Sequence, residues 1–377
     1  MSEPQRAFVL GRTDPVPPAE WNNSKAGDLV MASHKNINPD TRSALYGFIR
    51  EHHISDPNLY MLKGVGDNLF SFTHETECFL KSAIDENPHR AVKAALLYDL
   101  IRGYFTVSQS IRYVEMNGRD LMEQWCTLDA NSSGANSPHI ANIRYWNNFA
   151  ADEIEMEARR YAKLAKQEFK KERLYECHFD GEGNLFRKLI TTLGRRIDVL
   201  LYQMNFFCIG KPVKNEVFVT LDGETVNLRD RGGKVALVDI WSTTCTPCRR
   251  KLPDLMELQE KIGGESFEII ALNVDKSRDT LDAFLEKPEF VYLAGDETRA
   301  NIDDYLLPYI DAPKLTLPVV HLGLSHLLKL WDIVGYPTLF LLDRDGVMHA
   351  RGHDIPYGSI DTLVTGQLAG QREGRSL

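Results

Sequence analysis

One stretch of the sequence constrains the fold more than any other, because it joins an apolar run, two cysteines and an amphipathic run. The apolar run, residues 235–241, is rich in β-branched side chains and has the length of a buried strand. The amphipathic run carries Leu252, Leu255 and Leu258 at helical spacing. The pattern therefore predicts a strand followed by a helix, with Cys245 and Cys248 at the junction.

The position of the two cysteines predicts their chemistry. Pro247 suits the first turn of a helix, where no backbone N–H is needed, so Cys245 is expected at or just before the helix N-terminus. Unpaired N–H groups and the helix dipole at that end stabilise a thiolate. Cys245 is therefore the expected nucleophile. Cys248, one turn further along, can close a disulfide once Cys245 has formed a mixed disulfide with a substrate.

A pair of cysteines at this spacing can also be half of a structural zinc site. Such sites normally have four ligands, usually completed by a second cysteine pair or a histidine pair. The sequence from Cys248 to the C-terminus supplies neither at a matching distance. The redox interpretation is therefore preferred, and neither a metal nor a cofactor is expected.

Length and charge narrow the class of protein. A chain of 377 residues exceeds the size at which a single core stops growing, so two domains are expected. The net charge of −9 argues against a nucleic acid or an anionic membrane surface as partner. No apolar run is long enough to span a bilayer, and residues 1–18 lack the layout of a signal peptide. The expected location is therefore the cytoplasm.

The remaining cysteines are too scattered for a disulfide scaffold. Each lies in or beside an apolar helical stretch, where a free cysteine usually behaves as a small buried hydrophobe. No functional role is predicted for these four residues, which are Cys78, Cys126, Cys177 and Cys208.

The N-terminal half has the pattern of a helical domain. Residues 1–36 are polar and proline-containing, which is typical of a flexible leader. Residues 37–208 carry apolar side chains every three or four positions and are predicted to form an all-α bundle. A capping residue followed by proline marks three predicted helix starts, at Asn38, Asn87 and Ser137. The last helix of the bundle is predicted to run from Phe186 to Met204.

At Ile209 the period changes from helical to alternating, and an α/β domain is predicted over residues 209–370, with a tail at 371–377. Val217 to Leu228 should form a hairpin around the turn at Asp222 and Gly223. Strands then alternate with helices, and a final hairpin surrounds residues 345–346. The predicted fold class is thus α+β with two domains, the second built on a mixed central sheet.

This second domain resembles the thioredoxin fold and, within it, the TlpA-like thiol:disulfide oxidoreductases of the redoxin (AhpC/TSA) superfamily. The resemblance rests on motif order as well as on the cysteine pair. The matching motifs are IGKP at 209–212, LDG at 221–223, GKVALVDIW at 233–241, CTPC at 245–248, LP at 252–253, NVD at 273–275 and GYPTLFLLD at 335–343.

The resemblance implies roles for residues around the cysteines. Pro337 would be the cis-proline that faces the disulfide, and Asp239 the buried carboxylate that moves the proton of Cys248. The alternatives are an ordinary proline at the start of a strand and a strand-end carboxylate satisfied by the backbone. A further group would contact the substrate: Trp241, Thr244, Pro247, Tyr336 and Thr338.

Two residues depart from the family pattern. Thr244 stands where the family often has an aromatic residue, and Lys251 stands where some members have glutamate. A cation at position 251 would favour a thiolate rather than act as a base, which alters the expected pH dependence and partner choice.

The sequence therefore predicts a thiol-disulfide oxidoreductase that acts on disulfides in partner proteins and is recharged by an external thiol reductant. The alternative is a non-enzymatic interaction protein, in which the helical half binds a partner and the thioredoxin-like half is a redox sensor.

Overall fold

A computed structural model describes residues 39–57, 59, 72–118, 123, 138–179, 185–264, 266–293, 306–308, 313–352 and 360–373. The leader predicted at 1–36 lies outside these residues, as does the end of the predicted tail. The chain divides into two compact units, Met1–Met204 and Asn205–Leu377. No helix within the described ranges is long and apolar enough to cross a bilayer.

The N-terminal unit is mainly helical, as predicted. Its longest helix, Arg90–Asn117, is buried along much of its length and packs against His74–Glu86 and, more extensively, against Ala151–Glu168. Phe72, Tyr104 and Trp146 form an aromatic cluster in the core. The elements are α1 Pro39–His52, α2 His74–Glu86, α3 Arg90–Asn117, α4 Pro138–Trp146, α5 Ala151–Glu168, β1 Arg173–Phe179, β2 Leu185–Thr192 and α6 Leu193–Phe206.

The prediction that this unit is all-α was wrong at one place. β1 and β2 form an antiparallel hairpin where helix was predicted, and α6 begins at Leu193 rather than Phe186. The helical apolar stripe is present in the sequence, but Leu189 and Ile190 are exposed. Because these two side chains are exposed, strand pairing rather than the apolar period determines the structure of this segment.

Two of the three predicted helix starts are confirmed, at Pro39 and Pro138. Asn87 instead follows the end of α2, and α3 begins at Arg90. The Asn87 side-chain nitrogen donates to the carbonyl oxygens of Ile54 and Asp56 at 2.8 and 3.1 Å. Its Oδ1 accepts from the backbone N–H of His89 at 2.8 Å, and His89 is the residue that precedes the first turn of α3.

The C-terminal unit is built on a five-stranded mixed sheet in the order β11-β10-β5-β6-β9. The central strand β5 is parallel to β6 and antiparallel to β10. The hairpin predicted over Val217 to Leu228 is confirmed as β3 and β4. The elements are β3 Val217–Val219, β4 Thr225–Asn227, β5 Val235–Trp241, α7 Thr246–Ile262, β6 Phe267–Asn273, α8 Arg278–Glu286, β7 Val291–Leu293, β8 Leu306–Pro308, β9 Val319–His321, α9 His326–Leu330, β10 Thr338–Leu342, β11 Met348–Arg351 and α10 Ile360–Glu373.

Of the cysteines without a predicted role, Cys208 is buried as expected, whereas Cys78 is exposed on α2, which corrects the prediction. The side chains of Cys126 and Cys177 lie outside the described residues. An exposed cysteine can still lie on an apolar helix, because the helical period locates a face only to within about a residue.

Candidate active site

The two cysteines lie at the junction between the end of β5 and the start of α7. Every residue of β5 is buried, which fixes the strand in the centre of the sheet. Cys245 is the N-cap of α7, and Pro247 occupies its first turn. The backbone N–H of Cys248 donates to Cys245 Sγ at 3.2 Å. The sulfur that caps the helix is therefore the one expected from the sequence to carry negative charge.

Cys245 and Cys248 form a disulfide with a Cα–Cα distance of 5.2 Å. Their surroundings differ: Cys245 is half-buried, whereas Cys248 is fully buried. Only one sulfur of the pair is therefore open to a partner molecule. The other is placed to react inside the protein.

Pro337 lies at the same end of the sheet. The Tyr336–Pro337 peptide bond is cis, which confirms the expected isomer. Thr338 follows at once as the first residue of β10 and is paired with Ile240 of β5. The Thr338 hydroxyl donates to the carbonyl oxygen of Gly335 at 2.8 Å, which holds the turn that precedes the strand. The register thus brings the cis-proline turn beside the end of β5 that leads to Cys245.

Asp239 lies on β5, two residues before the strand ends, and is 1% exposed. Its Oδ1 has no hydrogen-bond partner among the described residues. Burial raises the pKa of Asp239 to about 7, and the charge of Lys251 acts in the opposite direction. The backbone-satisfied carboxylate considered as an alternative does not match this surrounding, since the oxygen is buried and unpaired.

A second carboxylate, Asp275, orders the loop before Cys245. It accepts hydrogen bonds from the Ser242 hydroxyl at 2.6 Å, from the Thr243 N–H at 3.1 Å and from the Asn273 side-chain amide at 2.8 Å. Burial acts to raise the pKa of Asp275, but these hydrogen bonds outweigh it and hold the pKa below its usual value. Asp275 therefore stays ionised and fixes residues 242–243.

Asn273 and Asp275 belong to one of the motifs that the sequence shares with the family, but no role was predicted for them. A signal was present, because two polar residues directly follow the apolar run of β6. Polar side chains at the ends of neighbouring strands meet at one edge of a sheet. That edge is where β5 ends in the cysteine loop.

The residues predicted to contact substrate do not all lie at the surface. Thr244 and Pro247 are exposed beside the cysteines, and Tyr336 and Thr338 are partly exposed at the cis-proline turn. Trp241 is fully buried, with its ring 5.6 Å from that of Phe284. Its place as the last residue of β5 points it into the core, so it supports the site from beneath rather than lining its surface.

Comparison with known proteins agrees with this site. The AhpC/TSA family model matches residues 209–351. The chain is 29% identical over 168 residues to "Thiol-disulfide oxidoreductase ResA" of Bacillus cereus (strain ATCC 10987 / NRS 248), covering 43% of this chain and 83% of the relative. It is 25% identical over 138 residues to "Sporulation thiol-disulfide oxidoreductase A" of Bacillus subtilis (strain 168), covering 36% of this chain and 70% of the relative. Among solved structures, StoA from Bacillus subtilis aligns at a TM-score of 0.30 and 18% identity, over 40% of this chain and 95% of that one.

A half-exposed cysteine at a helix N-terminus, a buried disulfide partner and an adjacent cis-proline define a thiol-disulfide oxidoreductase domain of thioredoxin type. Together with the family match over residues 209–351, this places the C-terminal domain among the TlpA-like thiol-disulfide oxidoreductases of the AhpC/TSA family.

Proposed function

We propose that the protein reduces or exchanges disulfides in partner proteins, with Cys245 as the attacking cysteine and Cys248 as the resolving cysteine. The observation that carries this assignment is the difference in exposure between the two cysteine residues. A protein substrate can reach Cys245, whereas Cys248 is accessible only to Cys245. The helix N-terminus next to Cys245 stabilises the thiolate that the attack requires.

The proposed reaction has two exchange steps. The Cys245 thiolate attacks a substrate disulfide, so that a bond forms between Cys245 and one substrate sulfur while the other substrate sulfur leaves as a thiolate. Cys248 then loses its proton and attacks Cys245. The Cys245–Cys248 bond forms, and the second substrate sulfur leaves. Two electrons pass from the cysteine pair to the substrate, and an external dithiol returns them by the same exchange in reverse.

Asp239 is the proposed acceptor of the Cys248 proton. Its carboxylate is buried on β5, the strand that leads to the cysteine loop, and its pKa of about 7 suits transfer near neutral pH. The proton then leaves through water or the departing substrate thiolate, which balances the step.

Insulin reduction with dithiothreitol tests the activity. The full-length protein should accelerate precipitation of the insulin B chain, and Cys245→Ser should lower the rate to that of dithiothreitol alone. Cys78→Ser is the matched control, because Cys78 is an exposed cysteine in the other unit. Equal rates for the parent and for Cys245→Ser would refute the proposal.

Trapping tests which partners the protein has. Cys248→Ser removes the resolving sulfur, so mixed disulfides through Cys245 should accumulate with several proteins of the cell. A single trapped protein, or none, would favour the alternative of a redox-sensing interaction protein. The cytoplasmic location stays a prediction, which fractionation of the producing cells can test.

A further inference from the structure

Lys251 is a buried cation close to the active site. It lies on α7 one turn beyond Cys248 and is 7% exposed. Lysine is rarely buried in proteins, because removing its ammonium group from water costs more than an apolar side chain would in the same place. Packing of the core therefore does not explain why a lysine is buried at position 251.

Carboxylates on three elements attract the Lys251 ammonium. Asp254 of α7 lies 3.8 Å from Lys251 Nζ and is itself largely exposed. Asp361, in the first turn of α10, and Asp239 of β5 also attract it, while Arg250 of α7 opposes them. Helix α10 packs on β5. Of the three carboxylates, only Asp239 is buried.

Because Asp239 is buried, the charge of Lys251 has a strong effect on its ionisation. Two charges interact more strongly where water is excluded, so the field of Lys251 acts on Asp239 with less screening than on the exposed carboxylates. The Asp239 Oδ1 atom has no hydrogen-bond partner among the residues of the C-terminal unit that the structure describes. The carboxylate form of Asp239 is therefore stabilised mainly by the charge of Lys251, rather than by hydrogen-bond donors in contact with Asp239.

We propose that Lys251 is a positioning residue for the resolving step, because its buried ammonium holds Asp239 in the carboxylate form that accepts the proton of Cys248. The inference rests on the proposed function. Lys251 takes no proton itself and touches no substrate. It sets the pH range over which Cys248 can be deprotonated, and hence the lifetime of the mixed disulfide.

The expected effect has a definite sign. Without the Lys251 charge, Asp239 is protonated up to a higher pH and cannot accept a proton from Cys248 there. A nearby positive charge typically lowers the pKa of a carboxyl group by about one unit or more. Lys251→Met should therefore raise the midpoint of the pH profile for resolution by about one unit, which slows resolution about tenfold on the acid side. Above the shifted midpoint the rates should converge.

The experiment follows the mixed disulfide directly. Reduced full-length protein is mixed with a peptide disulfide between pH 5 and 9, the reaction is stopped with acid, and the Cys245 adduct is counted by mass spectrometry. Lys251→Arg keeps the charge and should restore the parent profile. Lys261→Met is the matched control, since Lys261 is an exposed lysine of the same helix that pairs with Glu257 at 2.5 Å.

A double-mutant test separates this role from a structural one. In an Asp239→Asn background, Lys251→Met should produce no further shift, because the group through which it acts has gone. A parent-like midpoint for Lys251→Met, or the same shift in the Asp239→Asn background, would overturn the inference. A loss of rate that is equal at every pH would do so as well.

If Lys251→Met does not fold, a second variant can test the inference. Asp361→Asn removes a carboxylate that competes for the Lys251 charge, so the midpoint should move to lower pH, and an unchanged or raised midpoint overturns the inference. Failure of the parent protein to reduce insulin would instead refute the proposed function, which distinguishes the two outcomes.

Discussion

The unusual state of Asp239 should appear in the stability of the protein as well as in its chemistry. Replacing it with asparagine keeps nearly the same shape and removes the ability to ionise. In the folded protein the pKa of Asp239 is about 7, whereas an aspartate in an unfolded chain has a pKa of about 3.9. Between these values the folded state holds a proton that the unfolded state has released. The free energy of unfolding of the parent protein must therefore fall as pH rises through this interval.

The magnitude follows from the two pKa values. Each pKa unit corresponds to about 1.4 kcal/mol, so a difference of about three units gives about 4 kcal/mol. The two proteins should be similar in stability near pH 4. As pH rises to about 7, the Asp239→Asn variant should become increasingly more stable than the parent. Above that pH the difference in the free energy of unfolding should remain constant.

The assay must report on the C-terminal unit, because the chain has two compact units and a single transition cannot be assumed. The full-length oxidised protein is equilibrated in urea at each pH and labelled by a short deuterium pulse at one fixed pH. Mass spectrometry of peptides from β5 then gives the folded fraction. Glu260→Gln, an exposed change on α7, is the control and should follow the parent at every pH. A stability difference between parent and Asp239→Asn that is the same from pH 4 to 8 would refute the reasoning.

Two further predictions concern side chains that support the site. Asp275→Ala leaves the Ser242 hydroxyl and the Thr243 N–H without their acceptor, so we expect a loss of about 3 kcal/mol or more in urea titrations and faster amide exchange at residue 243; a loss below about 0.5 kcal/mol would contradict this. Trp331→Ala removes a buried ring that stacks on Phe207 at 4.9 Å, which should cost about 3–5 kcal/mol; unchanged urea midpoints would show that the stack contributes nothing.

The sequence was sufficient where one local pattern decides the structure. The buried strand β5, the helix that begins after Cys245 and the hairpin around Gly223 each follow from periodicity, a proline or a turn glycine. Gly223 has a φ of 90°, which a turn residue other than glycine rarely adopts. These elements place the cysteines without any knowledge of the rest of the fold.

Prediction from the sequence failed where contacts between residues distant in sequence determine the local structure. The hairpin of β1 and β2 depends on pairing between residues such as Tyr175 and Leu189, and no local period reports that pairing. Asn87 had the pattern of a helix cap, but its side-chain nitrogen binds the carbonyl oxygens of residues 54 and 56. Phe207, which falls within the predicted helical domain 37–208, packs instead against Trp331 and Phe340 inside the C-terminal unit.

The two carboxylates near the cysteines show what sequence alone could not supply. Asp239 and Asp275 each lie at or just after the end of a buried strand, and by residue type they are the same. Asp275 accepts hydrogen bonds from three side chains or backbone groups and keeps a lowered pKa, so it holds the loop as a fixed anion. Asp239 is buried with an oxygen that has no described donor, and its pKa is raised to about 7. Environments that push the pKa values of two acids apart separate their roles. Only Asp239 can gain and lose a proton near neutral pH, and for that reason it, rather than Asp275, is the group to which the resolving step is assigned.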